Sequence, residues 1–156
     1  MVDGNSRLMW GGMLGGRSMG YEVQTSAMRE RGLGRSVLAL LAGFAVNVGL
    51  SLATDLALEA VRILPQIGQG VMDDKQSLLA AAYRTIYGVV SSWVVAKLAP
   101  YAPLGHAMVG GVIGVVLATI GVVATWDKGL GPHWYAISLV VTALPAAWVG
   151  GKLGSK

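Results

Sequence analysis

The sequence predicts an all-α polytopic membrane protein: four transmembrane helices in an up-down-up-down bundle, with both termini in the cytoplasm. Three observations predict it. Four apolar runs reach the length that crosses a bilayer. Charged residues make up 13% of the chain and hydrophobic ones 54%, whereas soluble domains carry roughly 25% charged residues. Lys and Arg are also unevenly placed. Arg7, Arg17, Arg29, Arg31, Arg35, Lys97, Lys152 and Lys156 fall on one side of the implied topology, and Arg62, Lys75 and Lys128 on the other. The richer side is the cytoplasmic one. Termini on the same side require an even number of spans, in agreement with the four runs.

Residues 1–30 form a Gly- and Met-rich tail, with Trp10-Gly11-Gly12 and Gly15-Gly16 and no helical or strand period. It lacks the apolar core of a signal peptide and reads as disordered. A start of translation at Met28 is an equal reading. Residues 31–156 then form the membrane domain. The first span covers about 37–64 and is closed by Pro65. Ser51-Leu52-Ala53 has the form of a leader cleavage site, but the helical pattern continues past Ala53. A polar loop over Gln66–Gln76 leads to the second span, 77–98. Pro100 and Pro103 bracket a turn before the third, 104–126. Gly129, Gly131 and Pro132 mark the loop before the fourth, 134–153. Trp126, Trp134 and Tyr135 belong at the outer interface, and Tyr101 and Trp148 at the inner one.

The first two spans carry polar residues that lipid does not tolerate alone. Asn47, Ser51, Asp55, Glu59 and Arg62 follow one another at helical steps and line one side of a helix. Arg84 interrupts the second span beside Tyr83 and Tyr87. A charge in a membrane faces the protein interior and takes a partner. Asp55 lies nine residues before Leu64, roughly 13 Å along the helix, and Arg84 seven residues after Ser77, roughly 10 Å. Adjacent helices then bring Asp55 and Arg84 to similar depth as an ion pair. Thr54 or Tyr83 is placed to hydrogen-bond it, and Glu59 to share Arg84 or to pair with Arg62. The cluster is either a helix-to-helix clamp or a polar vestibule.

The third span carries a small-residue stripe, Gly110, Gly114, Ala118 and Gly121, flanked by His106 and Thr125. Such stripes let helices approach closely, so this is the expected packing face, within the bundle or with a second copy. Pro145 breaks one backbone hydrogen bond in the fourth span, and Ser138, Thr142 and Ala146 form a further small stripe beside it. Gly150-Gly151 lies close to the end of that span and carries no expectation.

No catalytic set is expected. His106 and His133 fall on opposite sides of the membrane, without metal-ligand spacing to a second ligand. There is no cysteine to act as nucleophile or ligand, no phosphate-cradling strand–loop–helix, and no cofactor motif. The net charge of +4 forms no basic patch with interleaved aromatics, so nucleic acid is not a partner.

The segments Ala53-Thr54-Asp55, Ala82-Tyr83-Arg84, Gly131-Pro132-His133-Trp134-Tyr135 and Ala143-Leu144-Pro145-Ala146-Ala147-Trp148 resemble a family of small bacterial four-span membrane proteins. The resemblance covers residues 31–153. It implies a bacterial inner-membrane location and no activity. Fluoride channels share the length and span number but need a Phe-rich track, and Phe44 is the single Phe here. The leading functional expectation is a non-enzymatic packing, assembly or accessory subunit. Its partners are the lipid bilayer and a homo-oligomer or larger membrane complex. The alternative is a channel or transporter for a small solute, ion or proton, using the polar cluster.

Overall fold

The structure, a computed structural model, describes the backbone of residues 6–65, 70–129 and 131–156, and the side chains of residues 32–65, 70–129 and 131–156. It comprises α1 (Ser6–Ala60), α2 (Asp74–Leu98), α3 (Pro103–Thr125) and α4 (His133–Gly154), with a 3-10 turn at Trp126–Lys128. No strand occurs among the described residues. Four stretches are long and apolar enough to cross a membrane: Gly32–Ala60, Asp74–Leu98, Pro103–Lys128 and His133–Gly154.

The chain divides into two units, Met1–Arg35 and Ser36–Lys156. In the first, the backbone is helical from Ser6, so residues 6–30 depart from the expectation of a tail without regular structure. Met, Leu, Arg, Glu and Gln between the glycines are good helix formers, and extending an existing helix is easier than nucleating one. The side-chain features of that tail, and the loop around Gly68, lie outside the described residues. The second unit holds everything that follows.

The ends of α1 and α2 differ from the expected spans. α1 stops at Ala60, short of Leu64. Arg62 sits in the left-handed region at φ 60°. The Ile63 amide reaches back to the Leu58 carbonyl at 2.9 Å, and the Arg62 amide to Glu59 at 3.0 Å. This is the helix-ending geometry that usually carries Gly at the Arg62 position. An L-residue in the left-handed region costs roughly 1–2 kcal/mol. Arg62→Gly is therefore expected to raise stability by about 1 kcal/mol, read as a higher unfolding temperature in detergent. α2 starts at Asp74, ahead of the expected Ser77. Asp73 caps it: the Gln76 amide donates to Asp73 Oδ1 at 2.8 Å, and the Asp73 amide to Gln76 Oε1 at 3.0 Å. That reciprocal box is a strong start signal. Gln76 Nε2 also donates to the Ile63 carbonyl at 2.7 Å, tying the two helix ends together.

The packing is built from small residues. Ala80, Ala96, Ala107, Ala147 and Ser77 are almost wholly buried, while Leu38, Leu56, Ile86, Ile120 and Val141 are exposed. In water this would be inside out. In lipid it is expected, because exposed leucine is solvated and small residues let backbones touch. α4 supplies the closest approaches. A Cβ added at Gly150 would lie 2.8 Å from Ser92 Cβ, and one at Gly154 would lie 2.6 Å from Ala96 Cβ, both on α2. The adjacent face of α4 meets α3: a Cβ at Gly151 would lie 2.7 Å from Ala107 Cβ, and one at Gly111 would lie 2.5 Å from Ala147 Cβ. Gly150 and Gly151, which carried no expectation, are therefore central to packing. Their position near the chain end is immaterial, since the last turns of α2 lie alongside them. On α1, a Cβ at Gly43 would run into Val95 of α2.

The expected packing face of α3 is corrected by the same contacts. A Cβ at Gly114 or Gly121 would meet nothing within 4 Å, and one at Gly110 would make only an ordinary contact with Leu40. The close seam of α3 is instead Ala107 and Gly111, one residue away in register. That is a rotation of about 100° around the helix. Pro145 lies inside α4 and is exposed. α4 carries on past it, as a tolerated break would.

Candidate functional site

Asp55 on α1 and Arg84 on α2 form an ion pair, Arg84 Nη2 to Asp55 Oδ2, at 2.6 Å. The Tyr83 hydroxyl donates to the other carboxylate oxygen, Oδ1. Both acid oxygens are thus engaged, as a carboxylate in a low-dielectric setting requires. One helical turn along α2, Tyr87 hydrogen-bonds Thr54 of α1 at 2.7 Å. The Tyr83 and Tyr87 rings stand 5.7 Å apart, centroid to centroid. The helix spacing explains the cluster: Tyr83, Arg84 and Tyr87 share the side of α2 that meets Thr54 and Asp55.

The pair forms although the helix ends lie elsewhere than expected. Asp55 is five residues from Ala60, and Arg84 ten residues from Asp74. The depths from the helix ends are therefore about 7 Å and about 15 Å. The two helix ends are therefore staggered, since Tyr83 and Tyr87 reach Asp55 and Thr54 across the same interval. Glu59 and Arg62 do not join the cluster. Arg62 is exposed in the turn after α1, Glu59 is half-buried, and among the described residues neither has an ion-pair partner. Asn47 and Ser51 do lie on the same side of α1 as Asp55, but they face a cavity.

That cavity, of about 630 Å³, is lined by all four helices. Its walls include Leu40, Phe44, Asn47 and Ser51 of α1, Arg84 and Thr85 of α2, Gly110, Gly114 and Leu117 of α3, and Thr142 of α4. A second cavity, of about 390 Å³, is lined by Gly121, Thr125, Trp126, His133 and Tyr135 among others. Arg84, Ala118 and Leu139 line both. The guanidinium therefore stands at their junction. Arg84 Nε and Asn47 Oδ1 are each buried without a hydrogen-bond partner. A buried donor and acceptor left unmade are costly unless something else occupies them.

The α3 stripe is the reason the cavity exists. Gly110, Gly114 and Ala118 line the larger cavity, and Ala118, Gly121 and Thr125 the smaller. Small residues with no partner opposite leave space. α3 meets α1 where His106 Nε2 bonds Ser36 Oγ at 2.8 Å, and where Gly110 faces Leu40. Beyond that, Gly114 and Gly121 of α3 and Gly49 of α1 have open space in front of them.

The smaller cavity is bounded by an aromatic rim. The Trp126 and His133 rings are 4.4 Å apart, and His133 Nε2 lies 3.2 Å from the Trp126 carbonyl oxygen. Trp134 Nε1 donates to Asp74 Oδ1 at 2.8 Å, fixing the start of α4 to the start of α2. Asp127 and His133, close in sequence, make no such contact with each other. The roles of three residues escaped sequence reasoning. Tyr135 reads as an interfacial aromatic, yet it lines the smaller cavity with Arg84. The hydroxyls of Thr85 and Thr142 are 3.4 Å apart; Thr85 reads as an ordinary residue within an apolar run, and Thr142 only as part of a small stripe. A hydroxyl directly after the charged residue in an apolar run is the signal that could have found Thr85.

No protein-family model, curated protein or solved structure matches the chain.

Proposed function

We propose that this protein is a small membrane transporter or channel, through which a solute passes between the two cavities at Arg84. The observation that carries the reading is the place of Arg84, a charged group that lines both cavities and is held from behind by Asp55. A clamp that served only to hold two helices would have no use for cavities on either side of its cation. The assembly reading rested on small-residue stripes. The α3 stripe faces open space at Gly114 and Gly121, while Gly150 and Gly151 of α4 are covered by α2 and α3.

In this reading the four spans alternate in direction and both termini lie in the cytoplasm, as the distribution of Lys and Arg supports. Contacts in opposite chain order, Ala107 with Gly151 and Gly111 with Ala147, support alternation for α3 and α4. The larger cavity then lies toward the cytoplasmic half and the smaller one toward the outer face. The resemblance to small bacterial four-span proteins supports an inner-membrane location in this reading.

The test is solute flux into proteoliposomes. Gly114→Leu is expected to lower flux at least tenfold without lowering the unfolding temperature, because the new side chain fills the larger cavity rather than a packed seam. Wild-type flux no greater than that of protein-free liposomes, over a panel of small anions, cations and neutral solutes, would end the proposal.

A further inference from the structure

The lining of the two cavities restricts what could occupy them. No acidic residue lines either cavity, and Arg84 is the one charged side chain on their walls among the described residues. A cation would meet the Arg84 guanidinium there and no acid on the walls. A dianion would leave one charge without a partner in a low-dielectric setting. The walls of the larger cavity are mostly apolar, through Leu40, Leu41, Phe44, Ile113 and Leu117. Gly114, on its α3 wall, has nothing within 4 Å in front of it. An apolar body carrying a single negative charge fits these walls.

Charge balance adds a second requirement. Arg84 and Asp55 together are formally neutral. An incoming carboxylate would leave two acids against one guanidinium, a net negative charge in an apolar setting. A proton removes the difficulty. Asp55 is its acceptor, being the acid already in contact with Arg84. Tyr83 faces the same carboxylate and can turn its hydroxyl from donor to acceptor when Asp55 is protonated. The other titratable groups near the cluster are Tyr87 on α2, Tyr135 on α4, which lines the smaller cavity with Arg84, and His133 on the rim of that cavity; Glu59, one turn along α1, stands outside it. α3 contributes no titratable side chain to either cavity.

We propose that the larger cavity takes an apolar monocarboxylate together with one proton, the incoming carboxylate replacing Asp55 on Arg84 while Asp55 accepts the proton. No covalent bond to carbon forms or breaks. One anion and one proton enter, and the cluster is neutral before and after. The buried Arg84 Nε gains the partner it lacks, since a carboxylate can bridge two guanidinium nitrogens. This inference rests on the permeation reading of the same site and names its substrate class.

The experiment is binding of decanoate to the full chain in nanodiscs, with empty nanodiscs subtracted, from about pH 6 to about pH 8, where the free carboxylate is ionised. The Kd is expected to weaken about tenfold per pH unit, the slope that uptake of one proton imposes. In weak buffer, one proton should disappear from solution for each decanoate bound. Decanol and decyltrimethylammonium should bind at least tenfold more weakly. Asp55→Asn, which needs no proton to release Arg84, should bind decanoate with a Kd independent of pH. A wild-type Kd that is flat with pH, binding without proton uptake, or decanol bound as tightly as decanoate would each overturn the proposal. The readout involves no flux. Solute flux without decanoate linkage would remove this inference and leave the permeation reading standing, and the converse result would do the reverse.

Discussion

Gly150→Leu is expected to separate α4 from α2 and to cost at least about 3 kcal/mol, the upper end of what overpacking a tight core usually costs. The new side chain would run into the α2 backbone around Val89 and Trp93 as well as into Ser92. A flexible side chain can swing away, but a helix backbone cannot. The variant should lose its cooperative thermal transition in detergent, or fail to elute as a single species. Gly121→Leu is the matching control. It adds the same bulk on α3 where nothing lies within 4 Å, and it should unfold within a few degrees of wild type. If both variants behaved alike, the α2–α4 seam would not be the element that holds the bundle.

The second large effect concerns the ion pair. Asp55→Leu removes one partner and leaves the Arg84 guanidinium facing an apolar cavity. Breaking a buried pair in this way costs about 3–5 kcal/mol. The pair is partly accessible, with side-chain exposures of 36% for Arg84 and 21% for Asp55, so a loss near about 3 kcal/mol is expected. Replacing both residues, Asp55→Leu with Arg84→Met, should restore most of the loss, because two apolar groups need no partner. The double-mutant cycle reads the coupling directly. The restored protein should still carry no solute. Recovery of stability with flux intact would show that the charges serve only the fold. A loss in the double variant equal to the sum of the two single losses would show that the two side chains are not coupled.

These two outcomes depend on features that differed in how readily they could be read. Asp55 and Arg84 were legible because a charge within an apolar run has few places to go. Tyr83 and Thr54 were both candidates to hydrogen-bond the pair; Tyr83 does so, whereas Thr54 bonds Tyr87. The start of α2 was equally legible, since Asp73 and Gln76 stand at capping-box spacing, yet the polar loop before them obscured it. The α3 stripe was legible as a stripe and misleading as a contact. Gly110, Gly114, Ala118 and Gly121 make a better small-residue pattern than Ala107 and Gly111, but the second pair touches α4 and the first set bounds a space.

The sequence by itself determined four membrane-length helices and the need for Asp55 and Arg84 to meet. Hydropathy and the cost of a charge in lipid act locally, so neither needs to know what lies across the bundle. Only the tertiary structure decided which glycines are covered and which are not. A cavity is the distance between surfaces contributed by helices far apart in the chain, and no single helix carries that distance in its own residues. Small side chains allow close approach, but whether a neighbouring helix arrives depends on how the other helices pack.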